Sequence, residues 1–205
     1  MRFALMFTLL GATSAYAEDF APEPFSDTGY LQSCTTDGEL PGCMIVGYGI
    51  RYIAATAGAT DPAVFTVLQG LPPHSRVEIA GDIINMGDVT AEVVLKSVIT
   101  VPSPDLDALM AGLQGNWQLA AGEGIEIIGS EWTEIIEGQA QNSYLLSVGQ
   151  ACSEGMVFGG PSIALIMMGG DPMEGMVCYA IDRLTEKSLE LTSKPDGAVL
   201  KLQRP

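Results

Sequence analysis

The residue types that most often perform catalysis are sparse in this chain and form no recognisable motif. His74 is the only histidine, and it lies in the loop LPPHSR beside Pro73 and Ser75. A Ser–His–acid triad needs an oriented, partly buried histidine, whereas this setting predicts an exposed loop residue. The sequence contains no G-x-S-x-G, no H-E-x-x-H and no glycine-rich phosphate loop before a helix. We therefore expect a protein that is not an enzyme and that carries no cofactor.

Carboxylates are abundant between residues 123 and 137. They are Glu123, Glu126, Glu131, Glu134 and Glu137. A pair of them could serve as the two acids of a glycosidase. Their spacing matches the solvent-facing positions of a β-hairpin more simply, so we expect Glu134 and its neighbours to be hydrated surface residues.

Methionines concentrate in the segment 156–176. They are Met156, Met167, Met168, Met173 and Met176. In exported proteins such thioethers can bind Cu(I), and they can also give a partner an adaptable apolar surface. Met167 and Met168 are adjacent in a strand-like run, so their side chains should point to opposite faces of a sheet. We expect core filling by these two, a surface position for Met173 and Met176, and no metal site.

The four cysteines divide into an early and a late pair. An even number of cysteines in an exported chain predicts disulfides, and four cysteines allow three pairings. We favour Cys34–Cys43 and Cys152–Cys178, because each bridge then stays within its own half of the chain. The spacings do not resemble paired C-x-x-C motifs, which argues against zinc.

The N-terminus has the pattern of a secretory signal peptide. Arg2 precedes an apolar run, Phe3 to Leu10, and Ala15-Tyr16-Ala17 fits an A-x-A cleavage site. Cleavage after residue 17 removes Arg2 and no acidic residue, so the net charge changes from −16 to −17. So acidic a chain lacks a basic face for nucleic acid or for an anionic membrane. With no later segment suited to a transmembrane helix, we expect a periplasmic or secreted protein.

The first half of the mature chain predicts a leader followed by a small module. Residues 18–33 are rich in proline and acid and show no periodicity, so we expect a flexible acidic leader that packs only at Tyr30 and Leu31. We assign residues 34–102 to a small β-rich module with one short helix. The run 44–58 predicts a strand, and Asp61 with Pro62 predicts a helix that ends near Gly70.

Residues 75–101 predict two strands around a turn at Asn85-Met86-Gly87-Asp88. The first of these strands has the pattern V-x-I-x-G-D. Together with its turn and the long alternating strand that follows, it resembles part of an OB-type barrel over about 25 residues.

The second half predicts one helix and then many strands. Ser103 and Pro104 begin a helix that should end near Gly112. Short apolar segments follow, separated by turn-forming residues: Trp117–Ala120, Ile125–Ile128, Trp132–Ile136, Tyr144–Val148, Ile163–Met168, Val177–Ile181, Leu189–Thr192 and Val199–Leu202. Strands joined by short turns suit an antiparallel up-and-down barrel, which closes to remove its edges. The fold class is therefore mainly β, with an eight-stranded barrel in residues 103–205.

Two stretches of this half resemble the lipocalin and calycin group. Gly115-Asn116-Trp117 is similar to the G-x-W signature at the barrel entrance, and a short helix also precedes that signature in the family. The end of the chain is similar to the terminal hairpin and final strand of bacterial lipocalin-like domains, through Ile181, Leu184, Leu189, Leu191 and Arg204. The resemblance covers residues 105–205. It implies that Gly115 and Arg204 are structural, and that Arg204 packs across Trp117 as a cation–π pair.

The resemblance also implies a non-enzymatic binding protein that holds a small apolar ligand in the barrel mouth. The contacts would come from Trp117, Trp132, Tyr144 and Met167, although residue type alone favours barrel core for the two tryptophans. The alternative is a protein-interaction module, such as a protease inhibitor or an envelope assembly factor, that contacts an exported protein. Its contact surface would be residues 18–33 and the loop 169–176, and a filled barrel interior would favour it.

Overall fold

A computed structural model of the chain describes residues 21–36, 41–55, 58–120, 122–152, 157–169 and 176–205. The strands form two closed barrels, one after the other along the chain. The expected fold class, mainly β with an eight-stranded antiparallel barrel after a smaller β module, is confirmed. The expected signal peptide, residues 1–17, lies outside the described residues.

The first barrel contains five strands and one helix: β1 (Glu23–Thr35), β2 (Gly42–Val46), β3 (Arg51–Ala55), α1 (Pro62–Gly70), β4 (Arg76–Met86) and β5 (Thr90–Thr100). The order around the barrel is β1-β2-β3-β5-β4, and β1 closes it by pairing with β4. β3 and β5 are parallel, and α1 lies between β3 and β4 in the chain. This is the five-stranded Greek-key arrangement of an OB-type barrel.

Two expectations for this module are wrong. Residues 23–33, expected in a flexible leader, form most of β1, which pairs with β4 along its first part and with β2 along its second. Tyr30 and Leu31 are buried as expected, but long-range strand pairing, which local composition does not reveal, also orders the rest of the segment. The run 44–58, expected as one strand, contains the β2–β3 hairpin, because the chain turns at Gly49, where φ is 76°.

The second barrel follows α2 (Pro104–Leu113). Its strands are β6 (Gly115–Ala120), β7 (Glu123–Ile128), β8 (Glu131–Ile136), β9 (Gln139–Ala151), β10 (Val157–Met167), β11 (Met176–Leu184), β12 (Ser188–Lys194) and β13 (Val199–Gln203). Each strand pairs antiparallel with the next, and β13 returns to β6 through Gln203 and Gln118. The meander is compatible with a lipocalin-like barrel.

The two ends of the second barrel differ. One end carries the β7–β8 turn, where Ile128 pairs with Glu131, and the opposite end lies where Glu123 pairs with Ile136. We call these the closed end and the open end. Met110 and Leu113 of α2 are fully buried in one cluster with Trp117, and Tyr30 of the first barrel belongs to the same cluster. Helix α2 and the first barrel therefore cover the closed end.

Two glutamine side chains hold the β7–β8 turn. Gln32 of β1 donates from Nε2 to the Ile128 carbonyl at 2.9 Å, and its Oε1 accepts from the Ser130 N–H at 2.8 Å. Gln114, directly after α2, accepts from the Gly129 N–H at 2.6 Å and donates to the Gly129 carbonyl at 3.1 Å. The turn is thus bonded both to the first barrel and to the connecting helix.

An ion pair and an apolar cluster extend the contact between the barrels. Arg51 of β3 pairs with Glu131 at the start of β8. Two residues from each barrel form a small buried cluster: Val46, Val89, Leu145 and Ile166. These contacts involve the closed end and one outer side of the second barrel, where the Tyr48 hydroxyl also donates to Met176 Sδ at 3.3 Å.

Candidate ligand-binding site

The open end of the second barrel contains a cavity of about 290 Å³. Its wall is mainly apolar and aromatic, and its principal members are Ile125, Trp132, Tyr144, Leu165, Val177 and Tyr179. These side chains come from neighbouring strands and reach one interior because alternate residues of a strand share a face. Sites for small molecules have volumes of about 300–1,000 Å³. The cavity therefore suits a ligand at the small end of this range.

Aromatic rings form one side of the wall. The rings of Trp132 and Tyr179 are 12° from parallel, with centroids 6.3 Å apart. Tyr144 is the direct cross-strand partner of Trp132, which places both side chains on one face of the sheet. Trp132 is 2% exposed, and its indole Nε1 has no hydrogen-bond partner among the described residues. A buried donor without a partner costs about 1–3 kcal/mol.

Glu134 brings a carboxylate into the same wall. Its Oε2 accepts from Asn142 Nδ2 at 2.8 Å, and its Oε1 lies 3.4 Å from the Tyr144 hydroxyl. Burial raises the pKa of Tyr144 and of Tyr179, and the negative charge of Glu134 raises both further. Glu134 is partly buried and faces the barrel interior, not the outer surface that the hairpin spacing suggests.

Trp117 belongs to the closed end. It is 1% exposed, and its indole N–H donates to the Leu113 carbonyl at 2.8 Å. The Arg204 guanidinium carbon lies 4.4 Å from the centroid of the Trp117 ring, and Nη2 donates to the Gly112 carbonyl at 2.8 Å. Gly115 has φ 105°, and a Cβ on it would lie 3.0 Å from Arg204 Nη1. The glycine, the tryptophan and the arginine thus meet as the resemblance implies.

Of the four residues expected to contact a ligand, two line the cavity. They are Trp132 and Tyr144, and their contact with a ligand stays a prediction. Trp117 instead borders an adjoining depression of about 320 Å³, which shares Glu123, Gly124 and Ile125 with the cavity. Met167 is partly buried against the barrel core and is not part of the cavity wall.

Sequence reasoning missed several members of the wall: Glu134, Leu165, Val177, Tyr179 and Leu200. Strand alternation contains a signal for Glu134, because it lies two residues after Trp132 and must share its face. For Tyr179 the strand itself is predicted, but its inward direction depends on the pairing with Ile163 of β10, which the sequence does not specify.

Other groups with possible chemistry lie apart from the cavity. His74 is partly buried in a turn at φ 65°, and burial lowers its pKa. Met167 packs in the barrel core, whereas Met168 packs beside the cluster between the barrels, so the two side chains point to opposite faces. Met156 and Met173 lie outside the described residues. Within the described part of the chain, no group of three or more His, Cys, Asp or Glu side chains is arranged to hold a metal.

Both expected disulfides are confirmed. Cys34–Cys43 joins cross-strand partners of β1 and β2, and Cys152–Cys178 joins the end of β9 to β11. Each bridge lies within one barrel and should contribute about 2–4 kcal/mol by restricting the unfolded chain. Among the described helices, none has the length and apolar character needed to cross a membrane.

Comparison with known proteins identifies no relative from which the chain could be classified. No protein-family model, curated protein or solved structure matches the chain. The architecture, a helix and then a closed meander of eight antiparallel strands, is compatible with a lipocalin-like barrel.

Proposed function

We propose that this chain is an exported, non-enzymatic binding protein that holds a small, largely apolar molecule in the open end of its second barrel. The observation that supports this function best is the cavity of about 290 Å³, walled by Trp132, Tyr144 and Tyr179 together with aliphatic side chains. The wall also includes the Glu134 carboxylate, a polar group that can orient a bound molecule.

The contrast between the two ends of the barrel strengthens the proposal. A small barrel can fill its interior with its own side chains, and the closed end does so. There Trp117, Leu189, Leu191 and Leu202 are at most 1% exposed. The open end has a similar apolar wall but leaves space inside it, and this space supports the proposal of a ligand site.

Two features support export as part of the proposal. The first 17 residues have the charge, apolar run and small-residue cut site of a signal peptide. Disulfides persist in oxidising compartments, and the chain has two of them. A periplasmic or secreted location would also let the barrel meet small molecules from the environment.

Native mass spectrometry of the mature protein, purified without detergent, tests the proposal. We expect a reproducible excess mass that disappears on denaturation. A Val177→Phe variant, which places a ring in the cavity wall, should lose this mass. Val199→Phe is the matched control, because Val199 is 57% exposed and lies outside the wall. A bare mass in the wild-type protein would contradict the proposal.

One observation favours a protein-interaction module as the second candidate. Leu119 and Ile136 border the cavity yet are 43% and 44% exposed, so the open end presents an apolar rim. Residues 18–33 and the loop 169–176, expected from the sequence as the contact surface, fit this role less well. Most of residues 18–33 form β1, and the greater part of the loop 169–176 lies outside the described residues. A bare native mass with both disulfides intact would favour this candidate.

A further inference from the structure

The charged side chains described in the cavity wall are all negative. Among the described residues of the wall, Glu123 and Glu134 are charged, and none is a lysine, arginine or histidine. Glu123 is exposed at the rim, whereas Glu134 is partly buried beside the aromatic residues. The potential inside the cavity is therefore negative, and the net charge of −16 over the whole chain adds to it.

Within the described part of the chain, no cation forms an ion pair with Glu134. The ion pairs between described residues join Arg51 to Glu131, Lys96 to Asp82 and Lys201 to Glu190, and none includes Glu134. The groups that hold the Glu134 carboxylate are the neutral Asn142 amide and the Tyr144 hydroxyl. These bonds orient the carboxylate without cancelling its charge, so a positive group on a ligand would find it available.

The aromatic wall favours the same sign of charge. The faces of Trp and Tyr rings carry negative potential and attract ammonium groups at about 6 Å or less from the ring centroid. Trp132, Tyr144 and Tyr179 border the space next to Glu134. An anionic ligand would be repelled both by the carboxylate and by these ring faces. A neutral apolar ligand would leave the carboxylate charge without a partner in a partly desolvated site.

We propose that the open end of the barrel binds a cationic amphiphile: a small molecule with a protonated amine or quaternary ammonium beside Glu134 and an apolar body against Leu165, Val177 and Leu200. The inference rests on the proposed function, because it names the ligand class of the same cavity.

Three probes of nearly equal size separate charge from shape. They are phenylpropylamine, phenylpropanol and phenylpropanoate, which at neutral pH are a cation, a neutral molecule and an anion. Isothermal titration of the mature protein with each probe measures the affinities. We expect the amine to bind about tenfold more tightly than the alcohol, and the carboxylate to bind at least about tenfold more weakly than the alcohol.

A matched pair of variants assigns the preference to one carboxylate. Glu134→Gln removes the charge but keeps an oxygen that can accept from Asn142 and Tyr144. It should weaken amine binding about tenfold and change alcohol binding by less than about twofold. Glu137→Gln removes the same charge from an exposed turn position outside the cavity wall. It should leave both affinities within about twofold of wild type.

The outcomes distinguish the two proposals. If none of the three probes binds, both the proposed function and the cationic ligand class are overturned. If the alcohol binds as tightly as the amine, or if Glu134→Gln leaves amine binding unchanged, the cavity still binds small molecules but the cationic ligand class is overturned. Thermal melting curves are recorded for both variants and for the wild type. Curves that overlay show that the three proteins are equally folded, so that their affinities can be compared directly.

Discussion

Substitution of Gly129 by alanine should destabilise the protein by disrupting the contact between its two barrels. Gly129 lies in the β7–β8 turn with φ 59°. A Cβ at this position would clash with the side-chain amide of Gln32, which comes from β1 of the first barrel. Gln32 would have to move, and it would then lose its bonds to the Ile128 carbonyl and the Ser130 N–H.

The magnitude follows from comparison with Gly138, in the next turn of the same meander. Gly138 has φ 77°, and a Cβ on it would have no heavy atom within 4 Å among the neighbours. Alanine at either position carries the left-handed backbone strain of roughly 1–2 kcal/mol. Gly129→Ala additionally loses two hydrogen bonds of about 1 kcal/mol each and leaves the Ser130 N–H without its partner. We expect Gly129→Ala to cost about 2–4 kcal/mol more than Gly138→Ala.

Urea unfolding followed by circular dichroism measures this difference, with the midpoint and the m-value fitted separately. The same two glycine substitutions are then made in a Gln32→Ala background. Truncation of Gln32 removes the atoms that clash, so the excess cost of Gly129→Ala should largely disappear there. This double-mutant cycle attributes the effect to one pair of residues.

Equal urea midpoints for Gly129→Ala and Gly138→Ala would refute this prediction. It also fails if the excess cost of Gly129→Ala persists unchanged in the Gln32→Ala background, because the strain would then lie within the turn. Either result would mean that Gln32 does not hold the β7–β8 turn to the first barrel in solution.

Two further predictions concern buried groups at the closed end. Arg204→Ala removes a cation–π contact and a charged hydrogen bond, so the free energy of unfolding should fall by about 2–4 kcal/mol. Lys201→Ala, at a long exposed ion pair, should change it by less than about 0.5 kcal/mol, and equal effects in urea unfolding would refute the assignment. Tyr30→Phe should be neutral or stabilising at pH 7, because the Tyr30 hydroxyl is buried without a hydrogen-bond partner within the described residues. Burial chiefly, with the charge of Asp107, raises the pKa of Tyr30 from 10.0 to about 12. The unfolded chain loses this proton first as the pH rises, so stability should decline between pH 10 and 12, and less steeply in Tyr30→Phe; parallel pH profiles would contradict this.

The parts of the fold that the sequence predicts are those set by local pattern. The helix start at Asp61 and Pro62 is visible because a side-chain cap and a first-turn proline act within a few residues, and Asp61 does accept from the Ala63 N–H. The strands of the second barrel are visible because turn-forming residues separate them at short intervals. The disulfide pairing is predictable because each cysteine pairs with the one nearest to it along the chain, Cys34 with Cys43 and Cys152 with Cys178.

The parts that the sequence does not predict depend on contacts between distant residues. β1 has a composition typical of a loose segment and becomes ordered only through its pairing with β4 and β2. The Gln32 bond to Ile128 spans 96 positions of the chain, and a lone glutamine carries no local signal of such a role. The inward direction of Tyr179 depends on register, since a shift by one residue would move it to the other face.

The division of the second barrel into two ends has a consequence for how binding and stability should respond to mutation. The closed end contains Trp117, Arg204 and the glutamine-held turn, which fix the barrel by packing and hydrogen bonds. The open end can therefore keep unfilled space and a carboxylate, Glu134, that forms no ion pair with a described residue, because its strands are already held in register from the other side. Closed-end variants such as Arg204→Ala should lower the free energy of unfolding without changing probe affinity in the folded protein. Glu134→Gln should change probe affinity without lowering the free energy of unfolding. If the ligand site formed only by collapse of a loose barrel, the same variants would change both quantities together.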